Sequence, residues 1–142
     1  MKIQVKYHDN DLKRLEKISI GDWIDLRAAD TYFLKKGDYT HISLGISMKL
    51  PDGYEAHIVP RSSTFKHWKI LQADSIGIID NSYSGNNDVW QFPALAMEDT
   101  VIHKNDRICQ FRIVKRMPEI EIEEVEILPD PDRGGFGTTG RC

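Results

Sequence analysis

A carboxylate and an aromatic ring three residues apart are the first candidates for chemistry. Gly77-Ile78-Ile79 leads into Asp80, Asn81-Ser82 follows, and Tyr83 and Gly85 come next. The β-branched pair reads as a strand end, and Asn81-Ser82 with the glycine reads as a hairpin turn. A carboxylate at the mouth of such a hairpin can face a small planar ligand and act on it as a general base. Aspartate also bonds its own backbone in turns, and taken alone the stretch favours that plainer role. A second carboxylate, Asp25, stands in the short strand pattern Gly21 to Ala29. The pair suits one general base and one indirect metal or hydrogen-bond partner, although hydrogen-bonded structural aspartates are the commoner outcome.

Anion-binding chemistry recurs at three further places. Arg61-Ser62-Ser63 follows Pro60 and offers one planar donor fork and two hydroxyls. On local grounds a turn with a capping serine is equally good. Gln110 can donate to a phosphate or be a surface polar residue. In a regular strand it would face away from Arg107. The segment 129–142 holds Arg133, Thr138 and Thr139 among four glycines, and Phe136 is its one large apolar side chain. Such backbone, with its open N–H groups, hydroxyls and guanidinium, can cradle an anion. A lone phenylalanine there has a purpose if it stacks on something. The plain alternative is a disordered tail. The five histidines show no metal-ligand spacing, a zinc site is not expected, and neither a Walker loop nor a dinucleotide-binding glycine pattern is present.

The elements that must hold these groups are short strands. The chain has 142 residues, 40% hydrophobic and 29% charged, as in a globular domain with a real core. A net charge of -3 gives no global field toward nucleic acid or membrane, so an anionic ligand needs local cations. No apolar run approaches the roughly 20 residues that span a bilayer. The start, Met1 to Val5, lacks a signal-peptide core. Cys109 sits in an apolar strand pattern and Cys142 is the last residue, which suits free thiols. Together these suggest a cytoplasmic protein.

Alternation predicts strands over 2–8, 21–29, 39–50, 54–58, 107–115 and, with a bulge, 119–127. Pro51-Asp52-Gly53 predicts a hairpin joining 39–50 to 54–58. Helical turns are expected at 11–18 and a short helix within 64–72. Pro93 suggests an edge or a bend. Many short strands with turns between them indicate an all-β sandwich or barrel. At Pro129 the composition changes, giving a β-rich domain over 1–128 and a Gly-rich C-terminal tail over 129–142. That tail cannot fold alone, and it spans up to about 45 Å if extended at roughly 3.3 Å per residue.

In order along the chain, Asp25, Pro60-Arg61-Ser62-Ser63, Gly77 to Gly85, Asp106-Arg107-Ile108 with Gln110, and Arg133-Gly134-Gly135-Phe136-Gly137-Thr138-Thr139-Gly140 resemble five ordered motifs. They are those of the homotrimeric dUTP nucleotidohydrolases (dUTPases). The resemblance runs from about Gly21 to Gly140. Asn86 to Trp90 and Asp22-Trp23-Ile24-Asp25-Leu26 are similar to dUTPases of Gram-positive bacteria and their phages.

The resemblance implies a jelly-roll-like β subunit in a trimer with shared active sites, each closed by a C-terminal tail. It implies hydrolysis of dUTP to dUMP and pyrophosphate with Mg²⁺. Asp80 would be the base for water attack on the α-phosphorus. Asp74, Gly77, Ile79, Tyr83 and Phe136 would bind the nucleoside, with Tyr83 under the deoxyribose and Phe136 on the uracil. Arg61, Ser62, Ser63, Gln110, Arg133, Gly137, Thr138 and Thr139 would meet the phosphates. Asp25 would touch Mg²⁺ through water. Two positions depart from many relatives: Asp74 stands where they carry Asn, and Ser84 where they carry Arg or Lys. A dCTP deaminase is disfavoured by the Asp80–Tyr83 hairpin and the Phe-bearing tail. The alternative of another class is a phage-type regulatory protein on this fold, acting through a protein partner with or without catalysis. No nucleic-acid or membrane partner is implied.

Overall fold

A computed structural model describes residues 1–135 and 137. Its regular secondary structure is almost entirely β, in short strands that share one core. The core is built from strand residues that alternate inward, with Trp90 and Phe111 packed edge to face at its centre, ring centroids 5.2 Å apart.

Four sheets surround it. In the largest, β2 (Ile24–Arg27), β11 (Arg107–Lys115), β6 (Tyr54–Pro60) and β8 (Gly77–Ile79) pair in that order. A three-stranded sheet orders β4 (Tyr39–Ser43), β9 (Gln91–Ala96) and β7 (Ile70–Gln72). Two pairs complete it: β1 (Gln4–Tyr7) with β5 (Ile46–Lys49), and β3 (Tyr32–Leu34) with β10 (Thr100–Ile102). The only helix among the described residues is α1 (Thr64–Trp68), ended by Lys69 at φ 52. This is the all-β class that the alternation predicts.

Tertiary partners override local pattern at several points. The strand expected over 39–50 breaks at Gly45, whose φ is 67 and where a Cβ would lie 2.8 Å from the Ala29 Cβ. Its halves join different sheets. The Pro51–Tyr54 turn forms, with Tyr54 N–H donating to Pro51 O at 3.2 Å. It does not close the expected hairpin, because β5 pairs with β1 while β6 pairs with β11 and β8. The helical turns expected over 11–18 are absent. Lys13 N–H donates to Asn105 Oδ1 and Leu15 N–H to Tyr7 Oη, both at 2.8 Å, so distant acceptors take the donors a helix would use. Within 64–72 the helix stops after five residues and β7 follows.

Pro93 lies in the central strand β9 rather than on an edge. Its carbonyl accepts from Ala73 N–H at 2.9 Å, just beyond the end of β7. A residue's N and O point to the same neighbour in an antiparallel ladder, so the missing N–H falls where that ladder has ended. Over 119–127 no strand forms. Ile120, Ile122, Val125 and Ile127 are exposed, and the segment pairs with no strand among the described residues.

Candidate active site

Strand β2 places Asp25 opposite Gln110 of β11, and between Arg107 and Cys109 the pairing shifts register. That irregularity turns Arg107 and Gln110 into the same cleft, where a regular strand would have parted them. The cleft, of about 360 Å³, also takes Arg14, Arg27, Arg61 and Ser62. Thr64 locks its rim. This buried hydroxyl accepts from Arg61 N–H and donates to Ile108 O, both at 2.8 Å. Asp25 is held from both sides, by Arg61 Nε at 3.1 Å and Arg107 Nη1 at 3.4 Å. Gln110 donates to Pro60 O at 3.1 Å and keeps a second amide hydrogen free for a ligand. Four arginines against Asp25 and Glu16 make a local cationic site on an acidic protein.

A second cleft, of about 320 Å³, lies along β8 and β9. Asp74, Ile79, Asp80 and Tyr83 line it, with His41, Ile78, Val89, Trp90, Gln91 and Pro93. Gly77 pairs with Ile58, and a Cβ there would lie 3.2 Å from the Ile58 Cβ. The glycine therefore lets β8 lie close on β6. After Ile79 the chain turns, with Tyr83 N–H donating to Asp80 O at 3.0 Å. Asn81 anchors the turn by donating to Pro51 O at 2.9 Å and Tyr54 O at 2.8 Å. Tyr83 donates its hydroxyl to Val89 O at 3.1 Å.

Asp80 is exposed. Its Oδ2 accepts from both the hydroxyl and the backbone N–H of Ser82. The hydroxyl bond is the main cause holding its carboxyl below the ordinary range, with the backbone bond and the positive charge of Arg116 adding to it. The turn-forming role therefore falls to a carboxylate that also remains exposed to the cleft.

Not every expected site residue joins a cleft. Ser63 caps α1 without a side-chain bond and does not line the cationic cleft. Arg133 lies along the 126–133 stretch, away from both clefts. Gly137 has φ 89, and Phe136, Thr138 and Thr139 fall outside the described residues. Sequence reasoning missed Arg14, Arg27, His41 and Gln91 and left Arg107 as a general cation. Arg27 was legible as the same-face neighbour two residues beyond Asp25. His41 and Gln91 carried no local signal, since β4–β9 pairing alone brings them together. The two clefts share no lining residue.

A family model described as dUTPase matches residues 23–140. The chain belongs to the dUTPase family. Among similar dUTPases is the SPbeta prophage-derived deoxyuridine 5'-triphosphate nucleotidohydrolase YosS of Bacillus subtilis (strain 168), 54% identical over 99% of both chains. In three dimensions the chain is similar to the Staphylococcus bacteriophage 80alpha dUTPase with dUPNHPP. That match has a TM-score of 0.81 and 19% identity over 98% of both chains. The 80alpha enzyme is described among phage dUTPases that control transfer of virulence genes by a proto-oncogenic G protein-like mechanism. A mutant dUTPase from phage phi11 of S. aureus, described for its coordination of a structural Mg(II) ion, matches with a TM-score of 0.76. It is 17% identical and covers 89% of this chain and 98% of its own. These structural matches establish the fold, the jelly-roll-type β fold of dUTPases.

Among the described residues no group of three or more His, Cys, Asp or Glu could hold a metal, and both Asp25 oxygens are engaged by guanidinium groups. Mg²⁺ keeps several waters and is commonly held by one or two carboxylates plus substrate phosphates. This donor set suits an ion carried by a polyphosphate and touched by Asp25 through its water shell. No helix among the described residues is long and apolar enough to cross a membrane.

Proposed function

We infer that the protein hydrolyses dUTP to dUMP and pyrophosphate by attack of water on the α-phosphorus. The observation that carries this reading is Asp80. It is exposed and held ionised by Ser82 at the end of a cleft that also holds Tyr83, on a dUTPase fold. Asp80 accepts a hydrogen bond from water and takes its proton as the new oxygen–phosphorus bond forms. The bond from the α-phosphorus to the α,β-bridging oxygen breaks, and pyrophosphate leaves. Phosphoryl transfer asks chiefly for positioning and neutralised charge. Arg61, Ser62, Ser63 and Gln110 supply donors to the phosphates, and Arg133, Gly137, Thr138 and Thr139 add donors from the tail. Asp25 would touch, through water, a Mg²⁺ carried by the triphosphate, and that ion would supply further charge neutralisation. Asp74, Gly77 and Ile79 frame the base, Tyr83 supports the deoxyribose where a 2′-hydroxyl would clash, and Phe136 stacks on uracil.

The working form is a homotrimer with shared sites, in the cytoplasm. Two observations support sharing. The phosphate cleft and the Asp80 cleft have no lining residue in common on one chain, and the large apolar side chains of 117–128 are exposed. The tail over 129–142 then closes a neighbour's site. A regulatory role through a protein partner is the second reading. It is supported by what is described of the 80alpha relative and is compatible with catalysis.

The decisive experiment is pyrophosphate release from dUTP, dTTP, dCTP and UTP in Mg²⁺, with a chelator control. Strong preference for dUTP and loss of turnover on Mg²⁺ removal are expected. Equal rates on UTP would refute the role given to Tyr83.

A further inference from the structure

A polar relay that the hydrolytic mechanism leaves unused runs into the Asp80 cleft, where His41 and Gln91 line it. Tyr39 Oη lies 2.9 Å from His41 Nε2, and His41 Nδ1 lies 2.8 Å from Gln91 Oε1. An amide oxygen only accepts, so Nδ1 carries the proton of the neutral ring. Nε2 then accepts from the tyrosine hydroxyl. The relay runs in one direction, from Tyr39 O–H to His41 and from His41 N–H to Gln91. Strand pairing sets it up: His41 stands opposite Pro93, which makes Gln91 its diagonal neighbour on the same face of β4–β9.

The consequence lies at the other end of the Gln91 amide. With its oxygen committed to His41, the NH₂ end faces away from the ring. That nitrogen has no hydrogen-bond partner among the described residues, although Gln91 lines the cleft. Asp74 lines the same cleft, and its Oδ2 would lie 3.6 Å from a Cβ placed on Gly77. Ile78 and Pro93 offer apolar walls between which a flat ring can lie. The cleft thus presents one oriented donor and one carboxylate acceptor.

We propose that Gln91, oriented by His41 and Tyr39, is a specificity-determining residue that donates to a ring carbonyl of the base, while Asp74 accepts from the adjacent ring N–H. The proposal deepens the functional reading above and rests on it. Uracil offers O4 as acceptor beside N3–H as donor, which matches this pair. Cytosine offers an amino donor beside an N3 acceptor, which reverses both partners. Asp74, acceptor-only when ionised, becomes a reader of N3–H and not merely an amide lost.

The test measures kcat/KM by pyrophosphate release from dUTP and dCTP, using the full chain and its Gln91→Glu, Gln91→Leu and His41→Phe variants. Gln91→Glu replaces the donor with an acceptor. It should lower the dUTP-to-dCTP ratio by about tenfold or more, mainly through KM for dUTP. Gln91→Leu should shift the ratio in the same direction. His41→Phe frees the amide to turn and should shift it by a smaller factor. Titration of dUMP against dCMP gives the same comparison without turnover. An unchanged ratio in Gln91→Glu, or equal losses on both nucleotides, overturns the assignment of Gln91 and leaves dUTP hydrolysis standing. A wild-type protein that neither turns over dUTP nor binds dUMP overturns the functional reading, and this assignment falls with it.

Discussion

Asp80 works at the scale of two hydrogen bonds. The hydroxyl and backbone N–H of Ser82 both point at one carboxylate oxygen and favour its charged form, outweighing the small opposing effect of desolvation. The group therefore stays ionised into acid below the ordinary carboxylate range and loses its proton-accepting form only as pH falls through that depressed value. A carboxylate held so low is a weak proton acceptor at neutral pH. In the proposed reaction its first service would then be to orient the water, with proton transfer completed as the bond to phosphorus forms. Replacing Ser82 with Ala removes the largest cause of the shift. The acidic limb of the kcat/KM profile should move to higher pH in Ser82→Ala, and a pH–rate profile reads this directly. A limb that stays in place would detach Ser82 from the control of Asp80. Cys109, by contrast, has no chemical role in this scheme, since full burial pushes its thiol well above the ordinary range.

At the scale of elements, the turn after β8 is only as well placed as its anchor. Asn81 sits beside the base and donates to two carbonyls of the Pro51–Tyr54 turn, at the junction where β5 and β6 part for different sheets. The same turn accepts from Arg116 N–H through Gly53 O at 2.9 Å, which brings the end of β11 to this corner. Asn81→Ala should cost about 1–2 kcal/mol of stability for two lost, half-buried hydrogen bonds. It should also lower kcat more than it raises KM, because the water-orienting carboxylate loses its support. Denaturant unfolding and steady-state kinetics measure the two effects. Asn81→Asp keeps the size but not the donors and should behave like Ala; full activity in Asp would mean that volume alone holds the turn. The absent hairpin between 39–50 and 54–58 belongs to this scale as well. Proline and glycine direct the reversal there, yet the partner of each strand is chosen by sheets that form around it.

At the scale of the molecule, the separation of the clefts makes a strong claim about assembly. If each site takes Asp80 from one copy and a tail from another, two inactive chains can rescue each other. A chain truncated after Pro129 retains Asp80, and Asp80→Asn retains the tail. Each alone should release no pyrophosphate above background. In the proposed trimer, the two chains refolded together should recover turnover, because some sites then hold an intact piece of each. Continued inactivity of verified mixed trimers would show that one chain supplies both pieces. The exposed apolar side chains of 117–128 point the same way. A run alternating Glu with Ile has the pattern of a strand, yet among the described residues it pairs with none.

The sequence by itself determined the all-β class, the strand identity of Asp25, Ile79 and Gln110, and the order of motifs that marks the dUTPase family. Period-two alternation, turn chemistry and motif spacing are local or linear properties, readable without coordinates. Only the tertiary structure decided that Arg107 and Gln110 share a cleft, since a register shift lies between them and no residue type signals it. Only it decided that His41 lends its proton to Gln91 across a strand pair fifty positions apart in the chain. The stretch around Asp80 shows the boundary most plainly. Its composition announced a turn with a carboxylate, but how firmly that carboxylate stays ionised is set by the Ser82 hydroxyl and N–H and by the positive charge of the distant Arg116 that folding brings near it.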